Sequence, residues 1–591
     1  MVTRVLVKKA TYRDSISLMK LSTGISKLPG VTQAAVVMAT ELNRRVLSQA
    51  GFKDPAIDQA GGDDMIIAIE ALDEKSLDTA FAETNRQLTS SSERTSEAEA
   101  SPRSLDEALQ RMPDANLVVI SVPGQFAKRE AMFALQKRLN VFLFSSNVSR
   151  ENELELKKLS SQEGLLLMGP DCGTSIINHK VLGFGNVVRR GGIGLVSASG
   201  TGLQEVSTLI HKAGLGISQA IGTGGGDLSE LVGGIAMLQG IRLLESDDET
   251  KLIILISKPP SPKTMSRVLE AVGQCSKPVV VNFLGADPAQ GSGLVAARTL
   301  EDAARAACSL YTGSDAKVPT TATPDAVRQA LQDHQKLSSS QRFLRGLFSG
   351  GTLCYESQVI LNPVLEKVLS NGPIREEDRI SGQDASTGHC CIDMGAEEFV
   401  EGRAHPMVDF SLRKLRILQE ARDPSTAVIL LDVVLGVGSN PDPAGELVPA
   451  IRRAREIGSE SGRYIPVVAS VVGTDQDPQN LAGQLEALNQ AGVTVLPSNA
   501  QATWVAAMIA VGKEIPLPVR KPVSPPAPEG RRKTVKVPLG LIGSPLRAVN
   551  LGIPTFADDL QAQGVEVLRV DWRPPAGGDP RMLDILERLG S

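Results

Sequence analysis

The densest run of chemistry-bearing residues is GGIGLVSASGTGLQEVSTLIHKAG, residues 191–214. An apolar β-type stretch, 193–196, enters Ser197-Ala198-Ser199-Gly200-Thr201-Gly202, and a helix-periodic pattern follows. A serine or threonine at a helix start accepts from free backbone amides, and glycine lets a ligand approach the backbone closely. The helix dipole adds partial positive charge there, which makes Ser199, Gly200 and Thr201 a candidate phosphate site. The same residues read equally as an N-cap and tight turn with no ligand. No Lys-Ser/Thr pair closes the loop, so it is not a Walker loop.

Two more glycine clusters follow. Gly222-Thr223-Gly224-Gly225-Gly226-Asp227 comes after the next strand pattern, and consecutive glycines imply close backbone approach or positive φ. Gly224, Gly225, Gly226 and Asp227 are therefore candidates for a substrate loop. Residues 431–443, LDVVLGVGSNPDP, end a third apolar strand in Gly436, Gly438 and Ser439, with Pro443 suited to a helix's first turn. These three are candidates for binding phosphate. Asp432 lies inside the strand, where an unpaired carboxylate is expensive. It is either an acceptor for loop amides or a site residue.

Between the clusters runs Gly402-Arg403-Ala404-His405-Pro406-Met407-Val408-Asp409. His405, flanked by Arg403 and Asp409, is a candidate general acid or base, with a structural histidine as the alternative. Arg403 is a candidate clamp for a carboxylate. His389 beside Cys390 and Cys391 lacks metal-ligand spacing, and no metal is expected.

The elements that position these residues follow a repeated order, a short β-branched run and then an amphipathic helix. That order predicts a multidomain α/β protein with parallel sheets covered on both faces. A chain of 591 residues is too long for one core. Three seams divide it: the polar stretch 85–104, the turn-rich 312–340, and the proline-rich 514–534, which precedes a small unit with its own strand–helix–strand pattern.

The net charge of −5, the lack of a dense Lys/Arg block and the scarcity of tryptophan (Trp504 and Trp572) argue against nucleic acid and anionic membranes as partners. The most apolar run, 428–437, is broken by Asp432 and too short to span a bilayer. The amino terminus has no signal-peptide pattern, and six cysteines without a C-x-x-C pair read as reduced thiols. A cytoplasmic protein is expected.

In order, Gly169-Pro170-Asp171-Cys172-Gly173, Gly194-Leu195-Val196-Ser197-Ala198-Ser199-Gly200-Thr201, Gly222 to Asp227 and Lys277-Pro278-Val279-Val280 resemble the α subunit of the succinyl-CoA synthetase superfamily. Ser349-Gly350-Gly351-Thr352-Leu353, Ile392-Asp393-Met394-Gly395, the 431–438 strand end and Gln490-Ala491-Gly492-Val493 resemble the carboxy-terminal ligase domain of its β subunit. Lys8-Lys9, Tyr12-Arg13-Asp14-Ser15, Gly402-Arg403, His405-Pro406-Met407 and Gly577-Gly578 are most similar to the FdrA branch. The resemblance implies a Rossmann-like CoA-binding-type domain over 1–190 with the polar insert 85–104. It implies an α-type flavodoxin-like ligase domain over 191–311, a connector 312–340, a β-type ligase domain over 341–513, the linker 514–534 and a terminal unit 535–591.

Departures from that plan redirect the function. The stretch 284–295, where the synthetases carry a phosphohistidine, holds no histidine, and 310–340 has no room for an ATP-grasp domain. The CoA phosphate loop is replaced by Lys8-Lys9-Ala10-Thr11-Tyr12-Arg13-Asp14-Ser15. What the resemblance then implies is acyl or carbamoyl transfer with phosphate or carbamoyl phosphate as substrate. It points to the large subunit of an oxamate (oxalurate) carbamoyltransferase in allantoin breakdown, acting as a homo-oligomer with other operon-encoded subunits. An acyl-CoA synthetase or CoA-dependent phosphotransacylase using CoA, and a scaffold without chemistry, are the alternatives. The helices after Thr201 and after Ser439 are expected to point at one shared phosphate.

Overall fold

Apolar runs that end in glycine and hydroxyl residues become parallel strands whose carboxyl ends face loops and helix starts. The computed structural model describes all residues except 10, 12, 63, 94–100, 287–293, 315–317, 319–322, 383–384, 517–536, 538–539 and 575–591. Residues 287–293, most of 514–534 and Gly577-Gly578 thus lie outside the described residues.

The chain begins β1 (Val2–Lys8), α1 (Ser15–Ser26), β2 (Val31–Met38), α2 (Glu41–Gln49), α3 (Pro55–Gln59), β3 (Met65–Ala71), α4 (Glu74–Glu93). β3 is almost wholly buried and pairs antiparallel with both β1 and β2. Its side chains join those of α1 and α4 in a core of their own. This stretch is therefore a separate antiparallel layer and not the start of a Rossmann unit, as the 1–190 boundary expected.

Next come α5 (Leu105–Arg111), β4 (Leu117–Ile120), α6 (Gly124–Gln136), β5 (Asn140–Leu143), α7 (Arg150–Gln162) and β6 (Leu167–Met168), with the three strands parallel. The next unit holds the hairpin β7 (Thr174–Ile177) and β8 (Lys180–Gly183), then β9 (Arg190–Ser197), α8 (Gly200–Lys212), β10 (Ile217–Gly222) and α9 (Ile235–Ser246). It continues with β11 (Leu252–Ser257), α10 (Pro262–Val272), β12 (Val279–Phe283), β13 (Leu294–Ala296) and α11 (Leu300–Thr312). A connecting helix, α12 (Pro324–Gln335), leads to the second unit. That unit runs β14 (Phe343–Phe348), α13 (Gly351–Leu361), β15 (Val368–Ser370), β16 (His389–Asp393), α14 (Glu397–Val400) and α15 (Ser411–Arg422). It ends with β17 (Thr426–Val434), α16 (Pro443–Glu460), β18 (Val467–Val472), α17 (Leu481–Gln490), β19 (Thr494–Leu496) and α18 (Asn499–Val511).

The seven-stranded and six-stranded sheets share a plan. The order β13-β12-β11-β9-β10 of the first is matched by β19-β18-β17-β14-β16 of the second. β9 and β14 hold equivalent central places, and each feeds a helix through a glycine–threonine turn, Gly200-Thr201 or Gly351-Thr352.

The carboxy-terminal strands are not a separate unit. β20 (Arg547–Leu551), α19 (Pro554–Ala562) and β21 (Glu566–Val570) extend the sheet of β4, in the order β21-β20-β4-β5-β6. Leu117 pairs with Ala548 and Ile120 with Leu551. Among the described residues no helix is long and apolar enough to cross a membrane.

Candidate active site

Ser199 caps α8, its Oγ accepting from the Gly202 amide at 2.9 Å. The same hydroxyl donates to Thr352 Oγ1 at 2.6 Å, so the first turns of α8 and α13 meet. The contact is repeated on the other side: a β-carbon on Gly350 would lie 2.8 Å from Thr201 Cγ2. Glycine at 350 is what allows this approach. Two helix starts that face each other add their partial positive charges and first-turn amides in one place. The buried Thr223 lies beside Ser197, donating its amide to Ser197 O at 2.8 Å, and its hydroxyl has no hydrogen-bond partner among the described residues.

Behind the junction the two helices exchange glutamates. Glu205 of α8 accepts from the amide of Asn499, the first residue of α18 in the other unit, at 2.9 Å. Glu356 of α13 accepts from the amide of Leu300, the first residue of α11, at 2.7 Å and from Asn499 Nδ2 at 2.8 Å. Glu301 accepts from Gln501 at 2.7 Å and from the Ser498 hydroxyl. All three glutamates are buried. Burial raises Glu205 to about 7 and Glu356 to about 8, although each accepts hydrogen bonds that favour the charged form. None of the three was singled out from sequence; the available signal for Glu205 and Glu356 was a glutamate five residues after the helix-opening Gly200 and Gly351.

On the α13 side, Asp393 ends β16. Its Oδ1 accepts from the Gly395 amide at 2.9 Å, and its Oδ2 would stand 2.5 Å from a β-carbon on Gly351. Burial raises its pKa while Lys258 opposes the shift. His405 reaches the same turn, its Nε2 2.8 Å from a β-carbon position on Gly395. Its Nδ1 accepts from the Met407 amide at 3.3 Å, and burial lowers the imidazole to about 4. At neutral pH it is an uncharged ring beside Asp393.

Other expected site residues serve different ends. Asp432 is fully buried and accepts from the Ser349 amide (2.8 Å), the Ser349 hydroxyl (3.0 Å) and the Gly350 amide (2.8 Å), with Arg413 as counter-ion. It shapes the turn into α13. Asp227, also fully buried, pairs with Lys157 at 2.8 Å and accepts from the amides of Ala236 and Met237 at the start of α9. Gly224 has φ +83° and would drive a β-carbon into Pro170 O, Gly225 lies against Asp171, and Gly226 packs on Arg150 and Glu153. The triple glycine permits that packing.

The helix facing α8 is α13, and not α16 as the Gly436–Ser439 reading expected. Gly436 packs on the carbonyl of Gly185, Gly438 on Phe184, and Val437 bridges Gly185. The first turn of α16 is already satisfied: Asp442 accepts from the Gly445 amide at 3.0 Å, and Gln484 from the Ala444 amide at 2.7 Å. A carboxylate cap there repels a second anion. Ser439 Oγ is buried without a partner and lines a cavity of about 1540 Å³ between α1, β2, the 402–411 segment and α19.

Arg403 is no free clamp. It donates to Asp409 at 2.9 Å, Ser411 at 2.7 Å and Asn43 at 3.0 Å, which ties the amino-terminal layer to the unit of β14–α18. Asn43 Nδ2 returns a bond to Gly402 O at 2.9 Å. Arg403→Ala should therefore lower the thermal midpoint, with a loss of ~2 kcal/mol from a largely buried charged pair. Turnover at a temperature where the variant stays folded should change less than threefold.

Residues 347–509 match the CoA-ligase family, and residues 1–104 match the AllF, heavy metal-associated domain. The second description does not fit a soft metal here, since residues 1–104 contain neither cysteine nor histidine. Among solved structures, the dinucleotide-forming acetyl-coenzyme A synthetase 1 of Ca. Korarchaeum cryptofilum, in complex with phosphate and ADP, is 18% identical. It covers 68% of this chain and 83% of its own, with a TM-score of 0.23. ATP citrate lyase of Methanothrix soehngenii, in complex with citrate and coenzyme A, is also 18% identical, covering 40% and 46% at a TM-score of 0.30. Similarity this low locates no site. YahF of Escherichia coli (strain K12) is 43% identical over 502 residues, which is 84% of this chain and 97% of that protein. The chain belongs to the family of YahF, and its residues 347–509 carry a CoA-ligase match.

Proposed function

We propose that the chain is an acyl-CoA ligase-like enzyme that transfers an acyl group between phosphate and an acceptor at the α8–α13 junction. The observation that carries this reading is the meeting of two helix starts from two ligase units, joined by the Ser199–Thr352 hydrogen bond at 2.6 Å. Phosphate oxygens held by first-turn amides would be stabilised as charge shifts onto them. In the acyl-phosphate-forming direction an oxygen of hydrogenphosphate attacks the acyl carbon, the bond to the acceptor breaks, and the proton lost by the hydrogenphosphate leaves on the acceptor. At the start of α6 the carbonyls of Ser146 and Asn147 stand where a β-carbon on Gly124 would lie, so glycine there serves close packing.

The finer form of the proposal is carbamoyl transfer of the FdrA type, with oxalurate as donor and other operon-encoded subunits as partners. It is supported by the missing phosphohistidine in 284–295 and by the match of residues 1–104 to a domain named for AllF. The chain, with its operon partners, is mixed with oxalurate and phosphate, and carbamoyl phosphate is followed by phosphorus NMR. Its appearance supports the carbamoyl form. Release of CoA and acyl phosphate from an acyl-CoA supports the broader reading with CoA as acceptor. Thioester formation that consumes ATP, without any phosphate-linked product, overturns both.

A further inference from the structure

β11 is parallel to β9 and in step with it, Ile256 pairing with Ser197 and its carbonyl accepting from the Ala198 amide at 3.0 Å. Lys258, the residue after β11, therefore emerges at the level where α8 begins, on the carboxyl edge where parallel sheets bind ligands. Its ammonium stands 5.4 Å from the ring centroid of Tyr355, in the first turns of α13. One exposed lysine thus touches both ligase units at their junction.

The charges around it are unbalanced. Asp171, in the loop before β7, and Asp393, at the end of β16, both feel Lys258 as a favourable charge. Two cations act on Asp171, Arg150 and Lys258. Arg150 is committed to Glu153 at 2.6 Å, whereas Lys258 has no ion pair among the described residues. A phosphoryl group placed on the helix starts would bring more negative charge next to Asp393. At the short range and reduced dielectric of such a cleft, that repulsion needs a nearby cation.

We propose that Lys258 is the cationic contact of the transferred phosphate or acyl phosphate, reaching its oxygens across the cleft from the first turns of α8 and α13. The inference rests on the reading of the junction as a phosphate site and adds the residue that makes the site selective for dianions. The Tyr355 ring holds the ammonium in place when the cleft is empty, a role suited to a cation over an aromatic face.

The test is equilibrium binding of inorganic phosphate to the full chain, by calorimetry or dialysis, for wild type, Lys258→Gln, Lys258→Arg and the surface control Lys128→Gln. Lys258→Gln should weaken phosphate binding about tenfold or more, the loss of one charge-assisted contact. Lys258→Arg should stay within roughly threefold of wild type and Lys128→Gln should match it. Because Lys258 is exposed, the thermal midpoint of Lys258→Gln should equal that of wild type, which separates a binding loss from a folding defect. Equal phosphate affinity in wild type and Lys258→Gln overturns the role of Lys258 and leaves the phosphate site standing. Failure of the wild type to bind phosphate overturns the site itself and the lysine's role with it.

Discussion

Glu356→Ala is expected to lower the unfolding free energy by ~4 kcal/mol, measured by urea denaturation near pH 6. The estimate joins the cavity left by a fully buried side chain to two donors left unpaired, the Leu300 amide and Asn499 Nδ2. Glu356→Gln should cost little at that pH, because the glutamate is protonated there and the amide keeps an acceptor for Leu300. The pH dependence gives the sharper result. The folded values of about 8 for Glu356 and about 7 for Glu205 stand above the ordinary value of 4.5. The native state therefore holds protons that the unfolded chain releases, and stability falls as pH rises from about 4.5 through 7 to 8. The double variant Glu205→Gln/Glu356→Gln should flatten that fall. A wild type whose stability is level or rising across this window would show that the two glutamates are ionised in the folded protein.

Gly350→Val is expected to reduce phosphate-linked transfer by about 100-fold or more while the chain remains folded. A β-carbon at 350 meets Thr201 Cγ2 at 2.8 Å and Thr201 Oγ1 at 3.0 Å, so a branched side chain must push the two helix starts apart. Displacements of about 1 Å at a reacting centre cost rates of that size. The control is Gly62→Val, at a position where a β-carbon meets nothing within 4 Å. Transfer by Gly350→Val within threefold of wild type, with an unchanged thermal midpoint, would remove the junction from the chemistry.

Local signals were legible where a side chain does the local work. Ser199 announces a helix cap because its hydroxyl has no better use in that position, and the structure uses it so. The start of α13 carried a weaker signal, since Gly350 caps without a side chain, although Ser349-Gly350-Gly351-Thr352 was visible as a motif. Gly436-Val437-Gly438-Ser439 imitated the pattern, but its glycines serve close packing on the hairpin of the other unit. Asp442 was the clue that α16 is already capped. The reading of Arg403 failed for a different reason: Asp409 lies six residues away and looks like a site partner, while Asn43 is distant in sequence and close only after folding. The terminal strand–helix–strand pattern was readable in the same way, and its destination beside β4 was not.

That destination bears on how the molecule is made. β4 leaves the ribosome with β5 as its only neighbour, and its other edge stays bare until residues 547–551 have been synthesised. The first-made parallel sheet is thus among the last to be sealed, by contacts of very large sequence separation that carry a high closure entropy and slow assembly. During synthesis the growing chain presents an open apolar edge, the kind of surface that chaperones shelter and that neighbouring nascent chains can capture. Pairing of Leu117 with Ala548 makes synthesis of residues 547–551 a condition for closing the sheet, so a chain that stops earlier keeps the edge of β4 exposed.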